Sequence, residues 1–361
     1  MDDIFYIKRA LVLAERARGK TSPNPMVGAL IVKNDRIISE GYHKKAGTSH
    51  AEVIVIDKAG EKASDSTLYV SLEPCCHTDK RTPPCTKKII ASGIRRVVIA
   101  MKDPNPKVAG KGIAELEKAG IKVIVGILEE KARHLNESYI KYITTGTPFV
   151  VLKIAMTLDG KIATPEGESK WITGEKARKI VHRLRGSSDA IMTAIGTVKA
   201  DDPMLDCRIS GYKNPVRIII DPQLETGLDS QVASCPPETI IVTRSTNADI
   251  SLWNKFRERG ITFIQYQSEK LDLKWLMQKL GKLTVTSVLV EGGSSLSAYC
   301  LEAGIVDKVM FFIAPKIIGG RDSFPAVGGK SFRRLSDAYR LKDLKTRRIG
   351  EDILVEAYVQ N

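Results

Sequence analysis

Long apolar runs are missing from this chain of 361 residues. No stretch approaches the roughly 18 apolar residues that a membrane-spanning helix needs, so no membrane partner is expected. Cysteine is scarce at six residues, too few for a disulfide scaffold, and a reducing cytoplasm is the expected location. Blocks of like charge are missing too. The net charge is +14, yet residues 1–145 hold 25 Lys/Arg against 17 Asp/Glu and the remainder 31 against 25, with no five like charges in a row. A nucleic-acid arm or stripe would be localised, so no nucleic-acid partner is expected. The spread excess reads as a solvated surface that also attracts small phosphorylated ligands. Finally, there is no G-x-G-x-x-G and no P-loop: "VGGKS" has the right tail, but Phe324 stands where the first glycine belongs.

What is present is ordinary globular material, 43% apolar and 27% charged, long enough for two domains of about 150–200 residues. "MDDIFYIKRALVLAERARGK" has the spacing of an amphipathic helix and not of a signal peptide. Beyond it, strands and helices alternate. "PMVGALIVKNDRIISEGYH" is a hairpin turning at "KND", and strands at "TLYVSLE", "RRVVIAM" and "IKVIVGI" are separated by helices. "EEKARHLNESYIKYI" reads as one helix. The Gly and Pro of "TTGTPF" mark a boundary, giving domains 1–145 and 146–361. The second half repeats the alternation, from "FVVLKIA" to a closing strand at "DILVEAYV". Both halves are α/β around largely parallel sheets.

"SLEPCCHTDKRTPPC", Ser71 to Cys85, holds three of the six cysteines, and "SHAE" upstream holds His50 and Glu52. One imidazole, two thiolates and an open position make a catalytic zinc site. H-x-E followed by P-C and a second cysteine is the pattern of zinc nucleobase deaminases, with the Glu as general acid/base. Two residues turn a helix by about 200°, so His50 and Glu52 cannot share a regular helical face, and one must sit at a helix entrance. Cys85 follows Pro83-Pro84, a pair suited to a helix start, where the dipole favours thiolate. A closed structural zinc using Cys76 or His77 is the alternative, and it leaves Glu52 unexplained.

With "PNPMVG", "SEGYH", "HAE", "EPC", "RTPPC" and "KDPNP", residues 1–145 resemble the cytidine-deaminase-like superfamily. Within it they resemble the deaminase domain of the bifunctional riboflavin-biosynthesis deaminase–reductase family. "LKIAMTLDGKIA", "GESKWITG", "GTVKADDPMLDCR", "VEGG" and "IAPKIIGG" are similar to its reductase domain. The resemblance implies an N-terminal cytidine-deaminase-like α/β/α sandwich and a C-terminal dihydrofolate-reductase-like α/β domain. It implies Zn2+ and NADPH as cofactors, phosphorylated pyrimidines as small-molecule substrates, and a homo-oligomer. Zinc-activated water would deaminate 2,5-diamino-6-ribosylamino-4(3H)-pyrimidinone 5′-phosphate, and NADPH would reduce the ribosyl group of the product to ribityl. One departure stands out: the family usually has eight residues between its zinc cysteines, and this chain has nine, plus Cys76.

By family position the zinc ligands are His50, Cys75 and Cys85, with Cys76 open as an alternative to Cys75, and Glu52 is catalytic. Asn24, His43, Arg81, Asp103 and Asn105 match positions around the pyrimidine and its ribose phosphate. In the second half Ala155, Trp171, Thr197 and Asp201, with Gly293, Ser294, Ser295, Leu296, Ser297, Ala298 and Tyr299, match NADPH contacts. Lys153, Ser169, Arg185, Leu205, Arg208 and Glu291 match the substrate site, with Arg185 and Arg208 suited to clamp a phosphate. Pro222 replaces the family's serine after "VRIIID", so that contact is not carried over. Two competing readings remain: another nucleoside or polynucleotide deaminase with an auxiliary domain, which would need P-C-x-x-C and a localised basic face, and a zinc-stabilised binding module.

Overall fold

The structure, a computed structural model, describes residues 2–77, 83–244 and 250–360. It divides into two compact units, Met1–Gly146 and Thr147–Asn361. In the first, α1 (Asp3–Glu15) precedes a hairpin of β1 (Gly28–Lys33) and β2 (Arg36–Tyr42). Asn34 and Asp35 both turn with positive φ, 50° and 57°, the left-handed pair that a two-residue hairpin turn requires. Then come α2 (Ala51–Ala59), β3 (Thr67–Val70), α3 (Cys85–Ala91), β4 (Arg96–Ile99), α4 (Lys111–Lys118), β5 (Lys122–Val125), α5 (Glu129–Leu135) and α6 (Glu137–Thr145). The sheet order is β2-β1-β3-β4-β5, antiparallel through β1 and parallel from β3 to β5. Helix α1 lies so close to β1 that a Cβ on Gly28 would stand 2.1 Å from the Ala10 carbonyl oxygen. Leu30, Ile31, Leu68, Val97 and Ile99 are fully buried in the core between sheet and helices.

The second unit runs β6 (Phe149–Thr157), β7 (Lys161–Ala163), α7 (Glu175–Ser187), β8 (Ala190–Ala194), α8 (Ile195–Asp201), β9 (Val216–Ile220), α9 (Gln231–Ser234), β10 (Thr239–Thr243) and α10 (Ile250–Glu258). It continues with β11 (Thr262–Gln265), α11 (Leu273–Lys282), β12 (Ser287–Val290), α12 (Ser294–Glu302), β13 (Lys308–Ala314), β14 (Phe324–Pro325), β15 (Leu341–Ile349) and β16 (Asp352–Val359). Nine strands form one sheet in the order β11-β10-β9-β8-β12-β6-β13-β16-β15. Seven are parallel, and β16 and β15 close it antiparallel. The parallel strands read as near-continuous Val/Ile/Leu runs because both faces are covered.

Two local expectations change. The stretch read as one helix over 129–143 breaks at Asn136, whose φ of −108° is not helical, because its amide is engaged elsewhere. Strand β15, "LKDLKTRRI", is exposed along its length, so it lacks the hydrophobic alternation that marks a strand. Its lysines and arginines suit a sheet edge.

Candidate active sites

Loops at the carboxyl ends of parallel strands build both sites, where open α/β sheets place their ligands. In the first unit His50 is the N-cap of α2, in extended conformation, and Glu52 follows in the first turn, buried at 3% exposure. The helix entrance thus resolves the conflict between the two positions. Beyond β3 the chain delivers Cys75, and Cys85 opens α3. His50 Nδ1 lies 3.2 Å from Cys85 Sγ and 3.5 Å from Cys75 Sγ. Zinc bonds of about 2.3 Å to sulfur and 2.0 Å to nitrogen put tetrahedral ligands roughly 3.5–3.8 Å apart, so the three atoms fit one zinc ion. Their mutual approach, all within 4.8 Å, joins His50, Cys75 and Cys85 and leaves Cys76 out. The Cys85 backbone N–H also points at Cys75 Sγ, at 3.4 Å. Burial pushes the Glu52 carboxyl above its usual range and outweighs the opposing pull of His50.

His43 and Asn24 converge beside His50. His43 Nδ1 donates to the Ser49 carbonyl at 3.1 Å, since a carbonyl only accepts. Its Nε2 therefore accepts from the Asn24 amide, also at 3.1 Å, and burial lowers its pKa and keeps the ring neutral. The imidazoles of His43 and His50 meet edge to face at 5.3 Å. Asp103 and Asn105 follow β4. Asp103 is buried, and desolvation raises its carboxyl to about 6. Arg81 lies outside the described residues.

Glu73, the first residue of "EPC", was assigned no role from the sequence. Its carboxylate accepts from the backbone N–H groups of Asp103, Gly110, Gly112 and Ile113, at 2.9–3.2 Å. It thereby caps α4 and ties the 103–113 loop to the cysteine loop. Gly112 permits the approach, because a Cβ there would stand 2.2 Å from the Pro74 carbonyl oxygen.

In the second unit Glu291, just past β12, is 9% exposed. Arg185 of α7 grips it in bidentate fashion, Nε to Oε1 at 2.7 Å and Nη2 to Oε2 at 3.1 Å. Lys153 of β6 stands 3.4 Å away. Burial alone would raise this carboxyl, but Arg185 and Lys153 outweigh it and hold it at about 2. Arg185 and Arg208 meet at Asp206: Arg185 donates to its carbonyl at 3.3 Å, and Arg208 to its carboxylate at 3.1 Å. Arg185 is thus committed inside the protein, whereas the Arg208 side chain is 60% exposed. Leu205 is held at φ 53°, a left-handed conformation that costs energy in a branched residue and often accompanies ligand contacts. Ser169 hydrogen-bonds Asp201 at 3.4 Å, and Trp171 is exposed with the Arg178 guanidinium 4.7 Å above its ring. Ala155 lies on β6 and Thr197 on α8, both half-buried.

The helix expected to meet NADPH is used unevenly. Leu296, Ser297 and Ala298 are buried. The Tyr299 hydroxyl donates to the Leu271 carbonyl, and its ring lies under Lys270. The open part is the first turn. Gly293 is the N-cap, the first turn lacks a side-chain cap, and among the described residues the buried Ser294 hydroxyl and the Thr193 hydroxyl of β8 have no hydrogen-bond partner. Uncapped N–H groups with an unpaired hydroxyl fit an anion such as a dinucleotide pyrophosphate.

Comparison with known proteins agrees with this geometry. Residues 148–355 match the model of the RibD C-terminal domain. Residues 1–101 match the cytidine and deoxycytidylate deaminase zinc-binding region. The chain is 45% identical over 361 residues to the riboflavin biosynthesis protein RibD of Actinobacillus pleuropneumoniae, covering 99% of this chain and 96% of that one. Among solved structures it is similar to Acinetobacter baumannii RibD, with TM-score 0.90, 36% identity and 99% of each chain covered. It is also similar to a diaminohydroxyphosphoribosylaminopyrimidine deaminase/5-amino-6-(5-phosphoribosylamino)uracil reductase of Thermotoga maritima, with TM-score 0.87, 37% identity and 99% of each chain covered.

Proposed function

The chain belongs to the RibD family, bifunctional zinc deaminases and NADPH-dependent reductases of riboflavin biosynthesis, and from that premise we propose which residues carry each reaction. In the first unit His50, Cys75 and Cys85 would hold the zinc, which when bound would supply a Lewis acid that lowers the pKa of a water to about 7. Glu52 would take one proton from the attacking water and deliver it to the ring nitrogen, then take the second from the oxygen newly bonded to carbon and give it to the departing amine. One C–N bond breaks, one C–O bond forms, and ammonia leaves. Asn24 and Asn105 orient the pyrimidine, and neutral His43 holds the Asn24 amide by accepting its hydrogen. The observation that carries this reading is the convergence of three ligand atoms beside a buried carboxyl at a helix entrance. The substrate follows from the name of the Thermotoga relative, a diaminopyrimidine bearing a phosphoribosylamino group.

In the second unit bound NADPH would supply a hydride for the former anomeric carbon of the ribose, which becomes electrophilic once the sugar opens to an imine. Lys153 Nζ holds a proton within reach of the reacting ribose, and Glu291 keeps that cation charged and placed. Arg208, more exposed than Arg185, grips the 5′-phosphate, while Arg185 fixes Glu291. The first turn of α12 receives the cofactor's pyrophosphate, with Trp171, Thr197 and Asp201 along the rest of the dinucleotide. The spread positive charge supports small phosphorylated substrates over nucleic acid, and the few scattered thiols support a cytoplasmic setting. The test is incubation of the zinc-loaded chain with the phosphorylated diaminopyrimidine, with and without NADPH, read by mass spectrometry. The deaminated ribosylamino compound should accumulate without NADPH and the ribitylamino compound with it; an unchanged substrate mass in both arms would reject the reading.

A further inference from the structure

The break in the last helix of the first unit places two buried polar side chains on the deaminase loops. Asn136, between α5 and α6, is 2% exposed. Its Oδ1 accepts from the Met26 N–H at 2.8 Å, and its Nδ2 donates to the Met26 carbonyl at 3.0 Å. A side-chain amide paired both ways with one residue's backbone fixes that loop as a strand partner would, and Asn24 lies two residues away. Three residues on, Tyr139 is 9% exposed. Its hydroxyl donates to Asp103 Oδ1 at 3.0 Å. Asp103 Oδ1 also accepts from the Asn105 N–H at 2.9 Å, and the Asp103 N–H donates to Glu73 at 3.1 Å. Helix α6, docked on the Met26 loop through Asn136, thus reaches the Asp103 side chain directly and the Asn105 backbone through it.

We propose that Tyr139 is a positioning residue for deamination, aiming Asp103 and Asn105 at the substrate without touching it. The hydroxyl suits that task because it donates to Asp103 Oδ1, the same oxygen that accepts the Asn105 backbone N–H, so one contact sets the carboxyl and, through it, the turn that carries Asn105. Without it the buried Asp103 carboxyl loses its side-chain donor and its hold on the Asn105 turn loosens. The proposal rests on the deaminase reading above and acts through Asp103.

The test uses the full zinc-loaded chain, with ammonia release from the phosphorylated diaminopyrimidine as assay, for Tyr139→Phe, Asp103→Ala and the double variant. Tyr139→Phe preserves the ring, and its zinc content and NADPH oxidation on the deaminated substrate should match wild type. Its deamination kcat/KM should fall roughly 10–100-fold, the worth of a hydrogen bond to a charged group, with most of the loss in KM. In the Asp103→Ala background the same change should cost less than about threefold, because the acceptor is gone. A purely structural role would cost the full factor in both backgrounds, and that result overturns the proposal. So does a Tyr139→Phe enzyme with wild-type kcat/KM while Asp103→Ala is impaired. If Asp103→Ala itself deaminates normally, the substrate role of Asp103 is wrong and the role of Tyr139 falls with it. If wild type releases no ammonia, the deaminase reading fails instead.

Discussion

Replacing Glu291 by glutamine removes one charge from a site that holds three. Its carboxylate is held by Arg185 at 2.7 and 3.1 Å and faces Lys153 at 3.4 Å, with side-chain exposures of 10–16% across the group. Two cations would then share a desolvated site with an amide that accepts through one oxygen only. Removing one partner of a buried ion pair costs about 3–5 kcal/mol. A unit of this size loses about 2–4 °C in Tm per kcal/mol, so its transition should fall by roughly 6–20 °C at neutral pH. Calorimetry of the full chain measures this, with zinc content as a check on the other unit. Adding Arg185→Met should recover part of the loss, because one unpaired cation disappears with it. Acid supplies the sign. The folded carboxyl titrates at about 2, below its ordinary 4.5. Its stabilisation is therefore complete well above pH 4.5 and is lost as pH falls from there toward 2. The Tm gap between wild type and Glu291→Gln should narrow at about pH 3.5. A gap under about 2 °C at pH 7, or one that does not narrow in acid, would refute a buried ionised Glu291.

Two further outcomes follow from the sites. Cys75→Ser and Cys85→Ser should each lose stoichiometric zinc while Cys76→Ser keeps it, and metal analysis showing loss only in the Cys76 variant would reverse the ligand assignment. Arg208→Ala should leave Tm unchanged, since that side chain is 60% exposed, and should raise the reductase KM with little effect on kcat; an unchanged KM removes it from the phosphate grip.

The convergence of His50, Cys75 and Cys85 was legible in the sequence because backbone constraints do most of the placing. Pro74 pins Cys75 after a strand, Pro83-Pro84 start a helix at Cys85, and the geometry of H-x-E puts His50 at a helix entrance. The supporting groups were not legible, because their partners are backbone atoms far away in the chain. Glu73 looks like any charge at a strand end, yet it caps a helix that begins at Lys111. Asn136 sits in a helical pattern, and only the fold brings Met26, 110 residues distant, to its amide. Arg217, a cation inside the strand "VRIIID", is 1% exposed. Its guanidinium instead reaches the Thr239 hydroxyl and the carbonyls of Met204, Gln231, Cys235 and Pro237. The phosphate clamp expected of Arg185 and Arg208 divides for a similar reason. The sequence shows two cations, and only the structure shows that one of them is already matched by Glu291.

That one chain holds two independent chemistries, with Glu52 moving the proton in the first, is tested most directly by Glu52→Gln in the full protein. The amide keeps the shape of the side chain and cannot carry the proton. Zinc should stay stoichiometric, NADPH oxidation on the deaminated substrate should equal wild type, and ammonia release should fall by at least about 10²–10⁴-fold, the usual worth of a positioned acid/base. Ammonia release near the wild-type rate from a zinc-loaded Glu52→Gln protein would contradict the account.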